Sequence, residues 1–311
     1  MSLKKVLLCG ILLWSFVGCA LHRFPEGNRN LPYPSRGVRE NTIVHVRTGY
    51  RLDPEQFFEF LRGTRVVYLA EIHNSPGVHR MQAEVIRGLA ERFPGRVSVG
   101  MEMFPYTAQK ALDRWYRENN RSDKEFRKLW KAYWGEKIDY YRPVLKVLKQ
   151  KKIPILGLNA PKSAVLKIAR NGLENLPKTF RDSLPEIDLS DPYERRYLAS
   201  VFKGHPQGRG MLDRFFLVQA FWEETMAETA AAYLQSAQGR SKILIILAGE
   251  NHVDYGFGIP RRLFRRLPVS YVTVQPKILA IEQIPKSQFM KVKEPPLPLR
   301  VADFYWYVYF Q

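Results

Sequence analysis

Cysteine is nearly missing from this sequence: among 311 residues only Cys9 and Cys19 occur. An apolar run long enough to cross a bilayer is missing too, because the N-terminal candidate, Val6 to Val17, falls short of the roughly 20 apolar residues that a spanning helix needs. Acidic residues are in deficit, 30 Asp and Glu against 49 Lys and Arg, which gives a formal net charge of +19. That balance favours acidic partners such as anionic lipid headgroups, a carboxylate-bearing ligand or nucleic acid. No nucleic-acid-binding motif of the usual kinds accompanies the charge, so nucleic acid is not an expected partner. Internal repeats are absent as well. Biased composition is confined to the Pro-, Gly-, Asn- and Arg-rich stretch from Leu21 to about Glu40 and to the Pro-rich Glu294 to Pro298.

At the N-terminus, Lys4 and Lys5 precede the apolar run, which closes on Gly18, Cys19 and Ala20. This is the pattern of a signal peptide. The segment Phe16-Val17-Gly18-Cys19 resembles a bacterial lipobox, in which small residues precede a cysteine that is acylated and becomes the new N-terminus. Residues 1–18 are therefore expected to be removed, Cys19 to be lipidated, and residues 19–40 to form a tether ahead of an α/β domain over 41–311. Cys9 leaves with the leader, no intrachain disulfide can form, and the exported domain must be held by its core alone. A single acyl chain binds a membrane marginally, whereas the several chains of a bacterial lipoprotein anchor firmly. Ala20 stands where an aspartate would favour retention in the inner membrane, which points to the outer membrane, facing the periplasm or the surface.

Short β-branched runs recur after the tether: Thr42 to Val46, Val66 to Leu69, Val97 to Gly100, Ile153 to Leu158 and Ile243 to Leu247. The last four are near-continuous apolar runs, which is how strands buried on both faces of a parallel sheet read. The clearest helix between them spans Gly77 to Arg92, with Val78, Met81, Val85, Ile86 and Leu89 on one face. The interval from Thr107 to Ser236 is mostly helical in pattern, and its aromatic residues exceed what simple crossovers need. The expected fold is thus α/β, a mostly parallel central sheet flanked by helices, with a helical subdomain inserted within about 107–236. Tyr271 to Val274, Leu279 to Ile284 and Phe304 to Phe310 read as edge or antiparallel strands.

The chemistry-bearing residues stand where strands stop. Glu71 and His73 follow Tyr68-Leu69-Ala70, Glu102 follows Val99-Gly100-Met101, Asn159 follows Leu156-Gly157-Leu158, and Glu250 and His252 follow Leu247-Ala248-Gly249. Ligands of open parallel sheets bind outside the carboxyl ends of the strands, so these side chains should converge on one crevice. Two His and three Glu in one crevice suit titratable chemistry, or a divalent metal that activates water.

The stretch Leu69-Ala70-Glu71-Ile72-His73-Asn74-Ser75-Pro76, with His79 and Gln82 after it, resembles the first signature of the ChaN family of haem-binding lipoproteins. Met101-Glu102-Met103-Phe104 with Gln109, Leu158-Asn159-Ala160-Pro161, QAFWEETMA over 219–227 and AGENHVDYGFGIP over 248–260 complete the resemblance. The wider Tiki, TraB and erythromycin esterase superfamily shares a pair of Gly-x-x-His motifs. The second is intact here as Gly249-Glu250-Asn251-His252, the first has Ala70 in place of Gly, and Glu223 stands where the family usually has Asp.

Two activities are implied by the resemblance. One is haem binding across a homodimer, with a tyrosinate on iron and a His and a Lys on propionates, in iron acquisition with an outer-membrane haem receptor as a conceivable partner. The other is a metal-dependent hydrolase using Glu71, His73, Glu102 and His252, with Glu250 as a further metal ligand. Haem is the first reading. For the iron ligand Tyr255 ranks first, with Tyr140 and Tyr141 as alternatives; ferric iron accepts a tyrosine oxygen. His79 is expected to face either the crevice or a partner. Arg261, Arg262, Arg265 and Arg266 form a basic cluster that would receive propionates or lie solvated near anionic lipid.

Overall fold

The structure is a computed structural model that describes residues 38–117, 123–135, 137–202, 212–280 and 297–311. The expected signal peptide, Cys19 and nearly all of the tether lie outside the described residues, as do the end of the Leu279 to Ile284 run and most of Glu294 to Pro298. Among the described residues no helix is long and apolar enough to cross a membrane.

The strands are β1 (Ile43–His45), β2 (Tyr50–Leu52), β3 (Val66–Glu71), β4 (Val97–Pro105), β5 (Ile155–Asn159), β6 (Ile243–Gly249), β7 (Tyr271–Leu279) and β8 (Phe304–Tyr309). They form one eight-stranded sheet in the order β2-β1-β8-β7-β3-β6-β4-β5. From β8 to β5 every pairing is parallel, and only the β1–β2 and β1–β8 pairs are antiparallel. This is the expected α/β class, with two corrections. Tyr271–Leu279 is a single interior parallel strand, not an edge. It tolerates Pro276 because its pairing with β3 stops at Val274, so beyond that point a missing N–H interrupts no ladder on the β3 side. The closing run, β8, is interior as well, antiparallel to β1 as expected but parallel to β7.

Alternation along the central strands divides the core in two. Val67, Leu69, Val99, Met101, Ile245 and Leu247 face one side, beneath α1 (Pro54–Phe60), α2 (Pro76–Arg92), α3 (Gln109–Arg117), α4 (Asp123–Tyr133) and α5 (Arg142–Gln150). Val66, Tyr68, Ala70, Leu244, Ile246 and Ala248 face the other, covered by α9 (Leu212–Gln235) and α10 (Ile259–Arg266). Smaller apolar clusters join α6 (Lys162–Asn171) and α8 (Pro192–Phe202) to α9, with α7 (Lys178–Arg181) between them in sequence. Of the aromatic residues of the helical interval, Trp115, Phe126, Trp130 and Tyr141 belong to the same cluster as the sheet, whereas Phe221, Tyr197 and Phe216 belong to the smaller clusters. Helix α2 starts as its sequence requires, with Pro76 in the first turn and the Ser75 hydroxyl accepting from Val78 N.

Register sets the site. Glu71 lies opposite Gly249 and Met101 opposite Leu247, so the ends of β3, β4 and β6 come level. Between β4 and β5 the register shifts between Met101 and Pro105, a stretch that includes Glu102, whose carbonyl accepts from Asn159 Nδ2 at 2.9 Å. Such bulges re-aim side chains at the rims of sheets.

Candidate functional site

Three strand ends bring Glu71, His73, Glu102 and His252 into one row of alternating charge. His73 Nδ1 lies 2.8 Å from Glu71 Oε1. Glu71 is itself buried and takes the Tyr141 hydroxyl at 2.5 Å and Gln82 Nε2 at 2.8 Å. At the centre, Glu102 pairs with His252 Nε2 at 3.5 Å and accepts from Gly249 N at 2.7 Å. His252 is held on its other side by Glu223, 3.1 Å from Nδ1, with the Gln219 amide nitrogen 2.8 Å from both. A Cβ built on Gly249 would stand 3.0 Å from His73 Nε2, so the bare α-carbon makes room for that ring beside Glu102.

The electrostatics follow from burial opposed by neighbours. Burial favours the neutral form of His252, but Glu102 and Glu223 overcome it and raise its pKa to about 10. In the same way burial is outweighed at His73 by Glu71 and Glu102, giving about 9. Glu102, which burial alone would push up, is held down at about 2 by His252 and His73. Glu71 and Glu223 are lowered against burial, chiefly by their hydrogen bonds with His73 and His252 respectively. Burial and the Glu71 charge push the Tyr141 phenol well up. At neutral pH both histidines are therefore cations between carboxylates.

The two differ in access. The His252 side chain is 10% exposed and His73 is 44% exposed, with its ring 5.0 Å from that of Trp134 in an edge contact. An imidazolium in this position can donate to a carboxylate or act as a general acid.

Convergence of Glu71, His73, Glu102 and His252 was expected, and Asn159 sits beside them as a backbone anchor for Glu102. Glu250 turns aside and accepts from Gln275 Nε2 at 3.1 Å. Among the described residues no group of three or more His, Cys, Asp or Glu is arranged to hold a metal ion, and the Glu71 and Glu102 carboxylates pair with His73 and His252. Tyr141 is fully buried and its hydroxyl is committed to Glu71, which removes it from the iron-ligand candidates. His79 is buried under Tyr141, with ring centroids 3.8 Å apart, and bonds Gln82 and the His73 carbonyl, so it faces neither crevice nor partner but supports the His73 loop.

Tyr255, half-buried at φ 60°, lies against Tyr197 and Phe257 in a separate aromatic cluster. Tyr140 is half-buried, with the Lys137 ammonium 5.8 Å from its ring centroid.

The basic cluster also takes a different role. Arg262 is fully buried and bonds Glu194, Glu223 and Glu224 at once. Arg265 and Arg266 reach Glu224, and Arg261 reaches Asp188, Asp191 and Glu194. These arginines clamp α10 to α8 and α9 and are not an open propionate receptor. Burial and the Glu223 charge push Glu194 up to about 8. Glu194 escaped the sequence reading, since in DPYERRY it looks like a solvated helix residue. Glu223 and Gln219 carried a signal, one helical turn apart on a long α9, but their partner His252 is distant in sequence.

The profile of the family described as haem-binding uptake, Tiki superfamily, ChaN matches residues 57–263. The chain belongs to this ChaN family. Among solved structures it resembles the ChaN protein of Campylobacter jejuni, described as showing cofacial haem binding, with a TM-score of 0.64, 18% identity, and coverage of 88% of this chain and 98% of that one. That likeness establishes a shared fold. An erythromycin esterase mutant in its open conformation is more distant, at TM-score 0.44 and 11% identity over 76% of each chain. Among curated proteins, RETICULATA-RELATED 5, chloroplastic, of Arabidopsis thaliana is 23% identical over 278 residues, 82% of this chain. The chain spans about a third of that protein's length. Family members thus share a haem-binding uptake description, and the strand-end row of His and Glu lies within the matched span.

Proposed function

We propose that this protein binds haem as cargo at the mouth of the His73 crevice, as a lipoprotein anchored through Cys19 to the outer membrane. The observation that carries the reading, beside family membership, is the half-exposed His73 cation set against the Trp134 ring. A porphyrin is a broad apolar plate with carboxylates at one edge. An imidazolium held charged by Glu71 suits a propionate, and an indole edge suits the plate. The donor set therefore fits haem. Bound haem supplies ferric iron that takes a phenolate oxygen. Of the remaining phenols, Tyr140 ranks ahead of Tyr255: it adjoins Tyr141, the partner of Glu71, whereas Tyr255 packs in a separate aromatic cluster. One crevice covers only one face of the plate, so two copies meeting over two haems would bury the rest, and haem would drive dimerisation.

Haemin titration with absorption spectroscopy and sedimentation tests this. Expected are a Soret shift, a phenolate-to-iron charge-transfer band that disappears in Tyr140→Phe and persists in Tyr255→Phe, and a haem-dependent dimer. A chain that binds no haemin, or a spectrum unchanged in both variants, overturns the reading. The lipid anchor is checked separately by fatty-acid labelling of wild type and Cys19→Ser, where equal labelling refutes it.

A further inference from the structure

Where α3, α4 and α5 meet, the surface opens into a cavity of about 430 Å³ that none of Glu71, His73, Glu102, Trp134 and His252 lines. Its floor is apolar, made by Trp115, Phe126, Ile138 and Leu145. Three of these are buried side chains of the main core, and the indole N–H of Trp115 has no hydrogen-bond partner. Among the described residues, Arg127, Arg142, Lys146 and Lys149 stand around the floor, with Asp139 as the single acid. Asp139 is engaged by both Arg127, at 3.1 Å, and Arg142, at 2.8 Å, so the rim keeps a net positive charge.

An apolar floor under a cationic rim is the signature of a ligand with a chain and one anionic end. The volume lies within the range of about 300–1,000 Å³ typical of small-molecule pockets. Among the described residues lining it there is no His, Tyr, Cys or Met. A haem placed there would lack an axial ligand, whereas an acyl chain needs none. We infer that this cavity is a second, haem-independent binding site for a single-chain anionic amphiphile, its chain on the Trp115–Phe126–Ile138–Leu145 floor and its headgroup at Arg142 and Lys146. A free fatty acid and a lysophospholipid share that chemistry, and both are at hand wherever a basic protein meets a membrane.

The test is photo-crosslinking of the full-length chain in membranes with a diazirine-bearing dodecanoate, followed by peptide mapping. Crosslinks are expected within residues 115–149. Competition by unlabelled dodecanoate would identify the free acid as the source and competition by lysophosphatidylglycerol the membrane lipid; either supports the site. Lys146→Glu reverses one charge at an exposed position and should cut labelling by about tenfold, the worth of one charge-assisted contact, and Lys146→Ala by less. Labelling that maps elsewhere, dodecanol competing as well as dodecanoate, or unaltered labelling in both Lys146 variants overturns the inference. Haemin displacing the probe as effectively as dodecanoate overturns it too. Because the Tyr140→Phe spectrum is read independently, failure here leaves the haem reading standing, and the reverse.

Discussion

His73 and His252 stand at the ends of neighbouring strands, share Glu102 between them and are both held as cations, yet they are built for different work. His252 has a carboxylate at each ring nitrogen and is sealed between β6 and α9, with Arg262 holding Glu223 from behind. His73 has one carboxylate on Nδ1, a glycine beside Nε2 and nearly half its surface open. The sealed ring is part of the wall, and the open ring is the part a ligand meets. A buried ion pair gives little net stability over an apolar replacement, but removing one partner strands the other. The comparison therefore predicts opposite consequences for equivalent mutations.

His252→Ala leaves Glu102 and Glu223 buried without their cation and should cost about 3–5 kcal/mol in chemical denaturation. His73→Ala removes a half-exposed ring and leaves the buried Glu71 its bonds from Tyr141 and Gln82, so it should cost less, about 1–2 kcal/mol, while lowering haem affinity. Equal stability losses for the two variants would break the distinction between wall and mouth.

The pH dependence sharpens it. The folded pKa of His252, about 10, lies above the ordinary 6.5, so its contribution is fully present below pH 6.5 and is lost as pH rises through about 10. Glu102 has the opposite sign: its folded pKa of about 2 lies below 4.5, so its contribution is present above 4.5 and is lost as pH falls through about 2. Thermal melts should therefore be most favourable between roughly pH 5 and 6.5 and decline toward pH 10. In His252→Gln the alkaline decline should flatten, whereas His73→Gln should retain most of it.

Gly249→Ala probes the contact between the two. A methyl 3.0 Å from His73 Nε2 forces the ring to give way, with a stability cost of about 1–3 kcal/mol as for other overpacked sites. Since the displaced ring is the open one, haemin affinity should fall along with stability. A variant as stable and as tight as wild type would show that His73 does not depend on that glycine.

Much of this was legible in the sequence. Continuous apolar runs marked β3, β4, β5 and β6 because strands covered on both faces have no polar side to show. Polar residues immediately after those runs marked the crevice. Where sequence reasoning failed, the cause was long-range partnership. Arg261 to Arg266 read as a basic face because their acids come from elsewhere in the chain, Asp188 and Asp191 from the loop before α8, Glu194 from α8, and Glu223 and Glu224 from α9. Tyr141 read as a ligand because nothing local shows that its hydroxyl ends on Glu71. β7 and β8 read as edge or antiparallel strands, which holds for β8 only in its pairing with β1, because their place in the sheet depends on which strands flank them.

The smallest effect concerns the two Gly-x-x-His motifs, where Ala70 replaces the first glycine and Gly249 is retained. By motif the two positions are equivalent, but register separates them: Ala70 pairs with Ala248, and Gly249 pairs with Glu71. Alternation then turns the Ala70 methyl into the apolar layer under α9, beside Tyr68 and Ala248, while the α-carbon of Gly249 faces His73. Only the second motif needs a bare backbone. Ala70→Gly should thus cost about 1 kcal/mol, from a lost core methyl and a more flexible unfolded chain. Haemin affinity and the alkaline decline of the melts should stay at wild-type values. A change in either, at so small a loss of stability, would mean that position 70 does reach the crevice and that the two halves of the site are more alike than the register allows.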